Sequence, residues 1–254
     1  MKNLKRFPVV SSLKSIHSSD LKQNKVTVSL TLEETHHLKG VLHVPEGTKC
    51  VLFDSEGNEC IGQVEPFRVN APAEVRLLER VAKNSESHLK LSVAQAIPQD
   101  RKMDEIVRKS AELGIYELIP LTTERTIVRM KKEQVQKVTE RWQRVLTQAA
   151  KQSQVSKLPQ IKSLTSFEPL LSQFGEYDRV FMLHPSKESK PIRETAFKTE
   201  KVLLMIGPEG GFSDREAKEA RLKGAELIAM GPEIMRTDTA FVAAAGFFKL
   251  MGEQ

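Results

Sequence analysis

Cysteine is nearly absent: the 254 residues hold only two, Cys50 and Cys60. That excludes a disulfide-stapled scaffold. The two flank "VLFDSEGNE", which reads as a β-hairpin, so they could lie opposite each other; two reduced thiols are the expected state. No metal motif occurs, neither C-x-x-C nor H-E-x-x-H, and His36 and His37 are adjacent, a poor spacing for a shared metal on a helix or a strand. The opening "MKNLKRFPVVSSLK" lacks the long apolar stretch of a secretory leader. The longest apolar run near the end, "AFVAAAGFF", is too short to span a bilayer. No membrane partner and a cytoplasmic location are therefore expected by elimination. Two phosphate-binding signatures are missing as well: no Lys-Ser/Thr follows the glycine corners, and no G-x-G-x-x-G is present.

What is present suits a soluble globular chain, with 39% hydrophobic and 28% charged residues. The length allows one large domain or two ordinary ones. A net charge of +6 and a pI near 9.2 favour an acidic partner such as nucleic acid.

The first third reads β-rich. "KVTVSL" alternates, "KCVLFDSEGNECIGQV" is two strands around a turn, and "LEETHHLKGVLHVPEG" is a short helix ending before Pro45. A small barrel or sandwich of about eighty residues follows from this, with "AKNSESH", 82–88, as linker. From Leu89 strands alternate with helices, which indicates a parallel α/β sheet. "DRKMDEIVRKSAELG" is a helix with Asp100 as N-cap and Gly114 at its stop. "KEQVQKVTERWQRVLTQAAKQS" is a longer one, with Val135, Val138, Trp142, Val145 and Ala149 on one stripe. Its other face carries Lys137, Arg141 and Arg144, with Arg125, Arg129, Lys131, Lys132, Lys151 and Lys157 nearby in sequence. That face is either a solvated surface or one that contacts phosphates.

Two similar corners close the chain. "LLMIGPEGGFSDREA" is a strand, a Gly-Pro corner and a helix opened by the capping box Ser213–Glu216. "LIAMGPEIMRTDTAFVAAA" repeats the plan, with Thr237 or Asp238 as cap. Both are expected at carboxyl ends of parallel strands, adjacent in the sheet, where open α/β sheets bind ligands. Glu209 would sit badly beside a pyrophosphate. A ligand with an adenine edge and a positive group near an acid fits better, and S-adenosylmethionine has both. The alternative is a pair of tight turns using Gly and Pro for backbone reasons.

These blocks resemble a known family. "IGPEGGFSDREA" followed by "MGPEIMRTDTA" is similar to the closing motifs of the RsmE family of SPOUT methyltransferases. "KMDEIVRKSAELGIYELIPLTTERT" and "LTQAAKQS" resemble its middle blocks, and "HHLKGVLHVPEG" with "LFDSEGNE" its N-terminal domain. The resemblance implies a PUA-like RNA-binding β-barrel over 1–84 and a SPOUT domain over 85–254, α/β with a trefoil knot and a mostly parallel sheet. It implies a homodimer that methylates N3 of a uridine in 16S ribosomal RNA, free or in the small subunit, with S-adenosylmethionine. The cofactor would contact Leu183, His184, Ile206, Gly207, Pro208, Gly210, Gly211, Met230, Gly231, Ile234, Met235 and Thr239. RNA would contact His37, His43, Arg125, Arg129, Arg141 and Arg144. Arg236 is the candidate catalytic cation, for the uracil oxyanion or the RNA backbone, against a salt bridge to Asp238 or Glu233. Glu209 is either a base or a loop anchor accepting backbone amides. The last helix, with small residues on one side, would pair across the dimer or else pack within one subunit.

The sequence departs from the family's residues at His43, Lys151, Val155 and Glu233, and at Gln99, positions that bear on RNA more than on cofactor. A non-catalytic RNA-binding or assembly protein of the same fold therefore stands as the second reading.

Overall fold

The computed structural model describes residues 4–22, 26–54, 56–81, 89–153, 158–195 and 201–252. The chain divides into two compact units, Met1–Glu86 with Ala150–Leu158, and Ser87–Ala149 with Pro159–Gln254. The linker expected over 82–88, together with Val155 and Lys157, lies outside the described residues, and for Lys132 and Lys151 only the backbone is described.

The first unit is built on five short strands: β1 (Arg6–Pro8), β2 (Thr27–Ser29), β3 (Lys49–Phe53), β4 (Glu59–Val64) and β5 (Glu74–Arg80). They form one sheet in the order β1-β3-β4-β5-β2, antiparallel except for the β1–β3 pair. Two short helices, α1 (Ser18–Lys22) and α2 (Leu32–His36), accompany it, and α2 runs on into a π-helical turn, His37–Val41. Phe7, Leu13, Leu38, Leu52 and Leu77 fill the core. The turn between β3 and β4 is fixed by Asp54, 3% exposed. Its carboxylate accepts the backbone N–H groups of Leu13, Glu56 and Asn58 at 2.8–3.0 Å, so a buried charge is met by fixed donors. The register corrects one expectation: Cys50 faces Gly62 and Cys60 faces Leu52, so the cysteines do not oppose each other. Both thiols are free and buried, and burial pushes that of Cys50 up to about 12.

In the second unit the elements follow in the order β6 (Lys90–Ala96), α3 (Lys102–Glu112), β7 (Glu117–Thr122), α4 (Lys132–Ser153), β8 (Gln160–Ile161), β9 (Thr165–Ser166), α5 (Phe167–Leu171), β10 (Arg179–Leu183), β11 (Lys190–Pro191), β12 (Lys201–Ile206), α6 (Asp214–Leu222), β13 (Glu226–Ala229) and α7 (Thr237–Gly252). The strands form one parallel sheet, β11-β13-β10-β12-β6-β7-β8, with β9 also on β7. Near-continuous apolar runs such as "VLLMI" suit strands covered on both faces. One cover packs Phe167, Leu170, Phe174, Phe212 and Ala220 with Met182, Leu203 and Met205. Elsewhere α3 packs on α7, and Phe248 of α7 meets Phe181 of β10 at 5.0 Å between ring centroids.

Local chemistry sets several of the helix ends, though not the start of α3. Ser213 and Glu216 form the expected capping box, and Gly114 ends α3 with φ 61°. Asp100, however, is not the cap of α3: its own backbone is left-handed at φ 57°, and Arg101 takes the N-cap position without a side-chain bond.

Candidate active site

β13, β10 and β12 lie side by side, and their register pairs Leu183 with Ile206 on one side and with Ile228 on the other. Their carboxyl ends are therefore level, and the three loops that leave them open at one edge of the sheet, the ligand-binding edge of open α/β folds. The two Gly-Pro corners are not on neighbouring strands as expected. They leave β12 and β13, with β10 between them. Sheet order and chain order differ here, and local sequence carries no trace of it.

The first corner folds back on itself. Gly211 N–H donates to the Pro208 carbonyl at 2.9 Å, and Gly211 takes φ 66°. A Cβ on Gly207 would stand 3.0 Å from the Cα and carbonyl carbon of Gly211, so glycine is required by contact alone. The loop after β7 braces this corner. Glu124 N–H donates to Glu216 Oε1 (2.8 Å), Ser213 Oγ donates to Glu124 Oε2 (2.8 Å), and Arg125 Nη1 donates to the Gly210 carbonyl (2.8 Å).

At the second corner the cap expectation is corrected. Helix α7 begins at Thr237, the Ala240 N–H bonds to the Arg236 carbonyl, and the Thr237 hydroxyl is spent elsewhere. It donates to the Gly207 carbonyl at 2.8 Å and accepts from Gln95 Nε2 at 3.0 Å. Gln95, wholly buried in β6, was not among the expected site residues. A polar residue inside the apolar run "KLSVAQA" was its one signal in the sequence.

A cavity of about 240 Å³ opens between the corners, lined by Leu183, Pro185, Ile206, Gly207, Pro208, Glu209, Gly210, Gly211, Ala229, Met230, Gly231, Glu233, Ile234, Met235, Thr237 and Ala240. Among the described residues its lining includes two carboxylates and no Lys, Arg or His. Such a lining repels phosphate and suits a flat apolar ring beside a positive group. Of the residues expected at the cofactor, ten line this cavity. His184 and Thr239 do not: His184 lines a separate cleft with Asp214, Lys218 and Arg221, and Thr239 is exposed on α7. Burial holds the His184 imidazole below its ordinary range.

The two candidate catalytic groups differ in their engagement. Glu209 Oε1 lies 2.9 Å from Lys102 Nζ, and both its oxygens are 3.2 Å from the Gln99 N–H. Burial pushes its carboxyl up, but the Lys102 and backbone hydrogen bonds outweigh this and hold it below the usual carboxylate range. That is the geometry of a loop anchor. Lys102, 107 residues away in sequence, gave no local sign of this pairing. Arg236 is exposed, forms no ion pair with Asp238 or Glu233 among the described residues, and stands beside the cavity in sequence without lining it.

Of the residues expected to meet RNA, Arg125 braces Gly210, and Arg141 pairs with Asp104 at 2.9 Å. Arg129 and Arg144 are exposed. In the first unit His37 is half-buried in the π-helical turn, and His43 is exposed with φ 48°.

A strand-end cavity walled by peptide edges and free of basic groups is the kind of site a nucleoside-cofactor transferase needs, and the family model described as "RNA methyltransferase domain" matches residues 85–249. The chain belongs to this family of RNA methyltransferases. A relative from Synechocystis, ribosomal RNA small subunit methyltransferase E, is 30% identical over 220 residues, spanning 85% of this chain and 70% of the relative. The structure of a methyltransferase from Legionella pneumophila in complex with S-adenosylmethionine superposes with a TM-score of 0.86 at 27% identity, covering 98% of each chain. The S-adenosylmethionine-bound ribosomal RNA small subunit methyltransferase E from Neisseria gonorrhoeae gives 0.85 at 26% identity, again over 98% of each. Membership of the RsmE family, expected from the motifs, is borne out by these likenesses.

Proposed function

We propose that the protein methylates N3 of a uridine in 16S ribosomal RNA, using S-adenosylmethionine bound between the corners after β10, β12 and β13. The observation that carries this reading is the cavity lining: apolar walls, peptide edges, two carboxylates and no basic side chain. That donor set fits a cofactor with an adenine ring and a net positive charge. Two similar solved chains hold this compound.

When bound, S-adenosylmethionine supplies an electrophilic methyl group on a sulfonium centre. Everything else falls to the chain. Leu183 and the buried Ile206 form the apolar inner wall of the cavity, Ile234 and Met235 line its exposed side, and Gly207 and Gly211 let the main chain approach a ligand closely. Glu209, clamped by Lys102 and the Gln99 amide, holds the first corner in place rather than moving a proton. Arg236, exposed beside the second corner, would stabilise negative charge on the uracil as its N3 proton passes to solvent water and the N3 lone pair takes the methyl group. Arg129 and Arg144 remain exposed for phosphates.

The same reading gives the first unit, over 1–84, the role of a PUA-like barrel for RNA, and makes 85–254 a knotted SPOUT domain. It also makes the protein a cytoplasmic homodimer. Exposed Val242, Ala243 and Leu250 on α7 are the surface that pairing would cover. Light scattering should return twice the chain mass at micromolar concentration, and a monomer would remove the dimer. The functional test is a map of N3-methylated uridines in small-subunit RNA from cells with and without the protein. One position should lose its methyl group and regain it on complementation. An unchanged map would leave the RNA-binding, non-catalytic alternative in its place.

A further inference from the structure

If S-adenosylmethionine lies between the corners, as proposed, the bonds behind the cavity wall bear on its grip. We infer that Gln95 and Thr237 form a buried one-way hydrogen-bond relay that sets the spacing of the two Gly-Pro corners, making both of them positioning residues for the cofactor.

The direction of the relay follows from counting hydrogens. A threonine hydroxyl has one. Thr237 Oγ1 is 2.8 Å from the Gly207 carbonyl, which can only accept, so the hydrogen goes there. At its other contact, 3.0 Å from the Gln95 side chain, Thr237 Oγ1 must then accept. This fixes the Gln95 amide with its NH2 toward Thr237. The same NH2 lies 2.8 Å from the Ala96 carbonyl, again an acceptor only. Both amide hydrogens are thereby used, and a flip of the amide would set Oε1 against the Ala96 carbonyl. Gln95 Oε1 itself has no partner among the described residues, at a side chain with no exposure. The amide's hold on its surroundings therefore comes wholly from its NH2 side.

The placement gives the relay its function. Gln95 sits on β6, where it pairs with Ile206, the last residue of the neighbouring β12 and the one before Gly207. Thr237 is the first residue of α7, where the second corner ends. Gly207 and Thr237 both line the cavity and Gln95 does not. A chain of bonds anchored in the sheet thus ties one wall of the cavity to the other. A ligand lying between the corners must touch both walls. A relaxed relay changes their separation, and binding registers such a change more steeply than folding does.

The test is calorimetric titration of S-adenosylmethionine, and separately S-adenosylhomocysteine, into the full chain and its Thr237→Val, Thr237→Ser, Gln95→Met and Gln95→Asn variants, with thermal melting beside it. Thr237→Val and Gln95→Met should each weaken both ligands about tenfold, the scale of one lost buried hydrogen bond. The double variant should add little to the worse single one, because both break one chain. Thr237→Ser keeps the hydroxyl and should recover most of the affinity. In steady state the cofactor KM should rise in Thr237→Val while kcat at saturating cofactor changes little. A folded Thr237→Val protein with wild-type affinity would overturn the relay, as would simple additivity in the double variant. If Thr237→Val does not fold, Gln95→Asn, which withdraws the amide by one carbon, replaces it. Failure of both to fold would also overturn the proposal, since the bonds would then serve the fold alone. Wild-type protein that binds neither ligand would instead sink the cofactor reading, and the relay's purpose with it.

Discussion

Three glycines of the first corner separate close contact from backbone conformation, and alanine at each should cost a different amount. At Gly207 the added Cβ would stand 3.0 Å from the Gly211 Cα and carbonyl carbon and 3.2 Å from the Phe212 nitrogen. All three are backbone atoms, and Phe212 and Ser213 just beyond are buried. The corner can relieve the contact only by opening. Overpacking of this kind costs about 1–3 kcal/mol. If the site bears all of it, cofactor affinity falls about 5- to 150-fold. At Gly211 a Cβ meets nothing within 4 Å, but φ is 66°, which costs an L-residue about 1–2 kcal/mol. At Gly210 the nearest atoms are Arg125 Cβ at 3.4 Å and Cδ at 3.5 Å, part of a flexible, exposed side chain. Alanine there should stay within about 0.5 kcal/mol of wild type. Calorimetry with S-adenosylmethionine reads the affinities. Melting reads the stability, at about 2–4 °C per kcal/mol for a unit of this size. The expected order of damage is Gly207, Gly211, Gly210. A Gly207→Ala protein that binds and melts like wild type would refute the reasoning, and so would a Gly210→Ala protein damaged more than Gly207→Ala.

Arg236→Ala should slow single-turnover methylation by about a hundredfold or more while leaving cofactor affinity nearly intact, with lysine restoring only part of the rate. A stable Arg236→Ala protein with wild-type turnover removes its catalytic role. The Glu209 carboxyl sits below its ordinary range, so what it contributes is present above the unfolded pKa and is lost only as pH falls through the lower folded value. Cofactor affinity should thus hold through the ordinary glutamate range and fall only at pH values below it. Glu209→Gln should abolish that acid limb, and an identical limb in the variant would show that another group causes it. With the Cys50 thiol buried and pushed up to about 12, thiol reagents should label it in native protein no faster than the first unit unfolds. Rapid labelling at neutral pH would contradict that burial.

Local rules were legible in the sequence and long-range ones were not. "SDRE" announced its capping box because both partners lie within one turn. The stripe of α4 announced a helix over Lys132–Ser153 because 3.6-residue periodicity is written along the chain. The apolar runs of β10 and β12 announced buried parallel strands. By contrast, Glu209 meets Lys102 across 107 residues and Gln95 meets Thr237 across 142, separations at which no spacing rule operates. The insertion of β10 between the two corners belongs to the same class. Asp100 shows a different limit: a good capping residue loses its place when the backbone there turns left-handed and the helix starts two residues later. Of the candidate site, the cavity's main-chain walls could be read from the motifs. The bonds that hold those walls apart could not.

The position of β12 has a consequence for how the molecule is made. It occupies the centre of the sheet, between β6 and β10, yet comes after both in the chain, and its register mates on β6 begin 111 residues earlier. A growing polypeptide that has emerged only through β10 holds one piece of sheet, β6-β7-β8, with an open edge on β6, and a lone β10 that has neither of its sheet neighbours yet. Pairing across such a separation is slow, because the loop entropy is lost before the contacts form. The corner at Gly207 and the helix start at Thr237 then form on the strand that closes the gap and on the segment that follows it. Competence to grip a nucleoside thus arrives last in biogenesis, and an incompletely assembled copy has no half-built site with which to sequester its ligand.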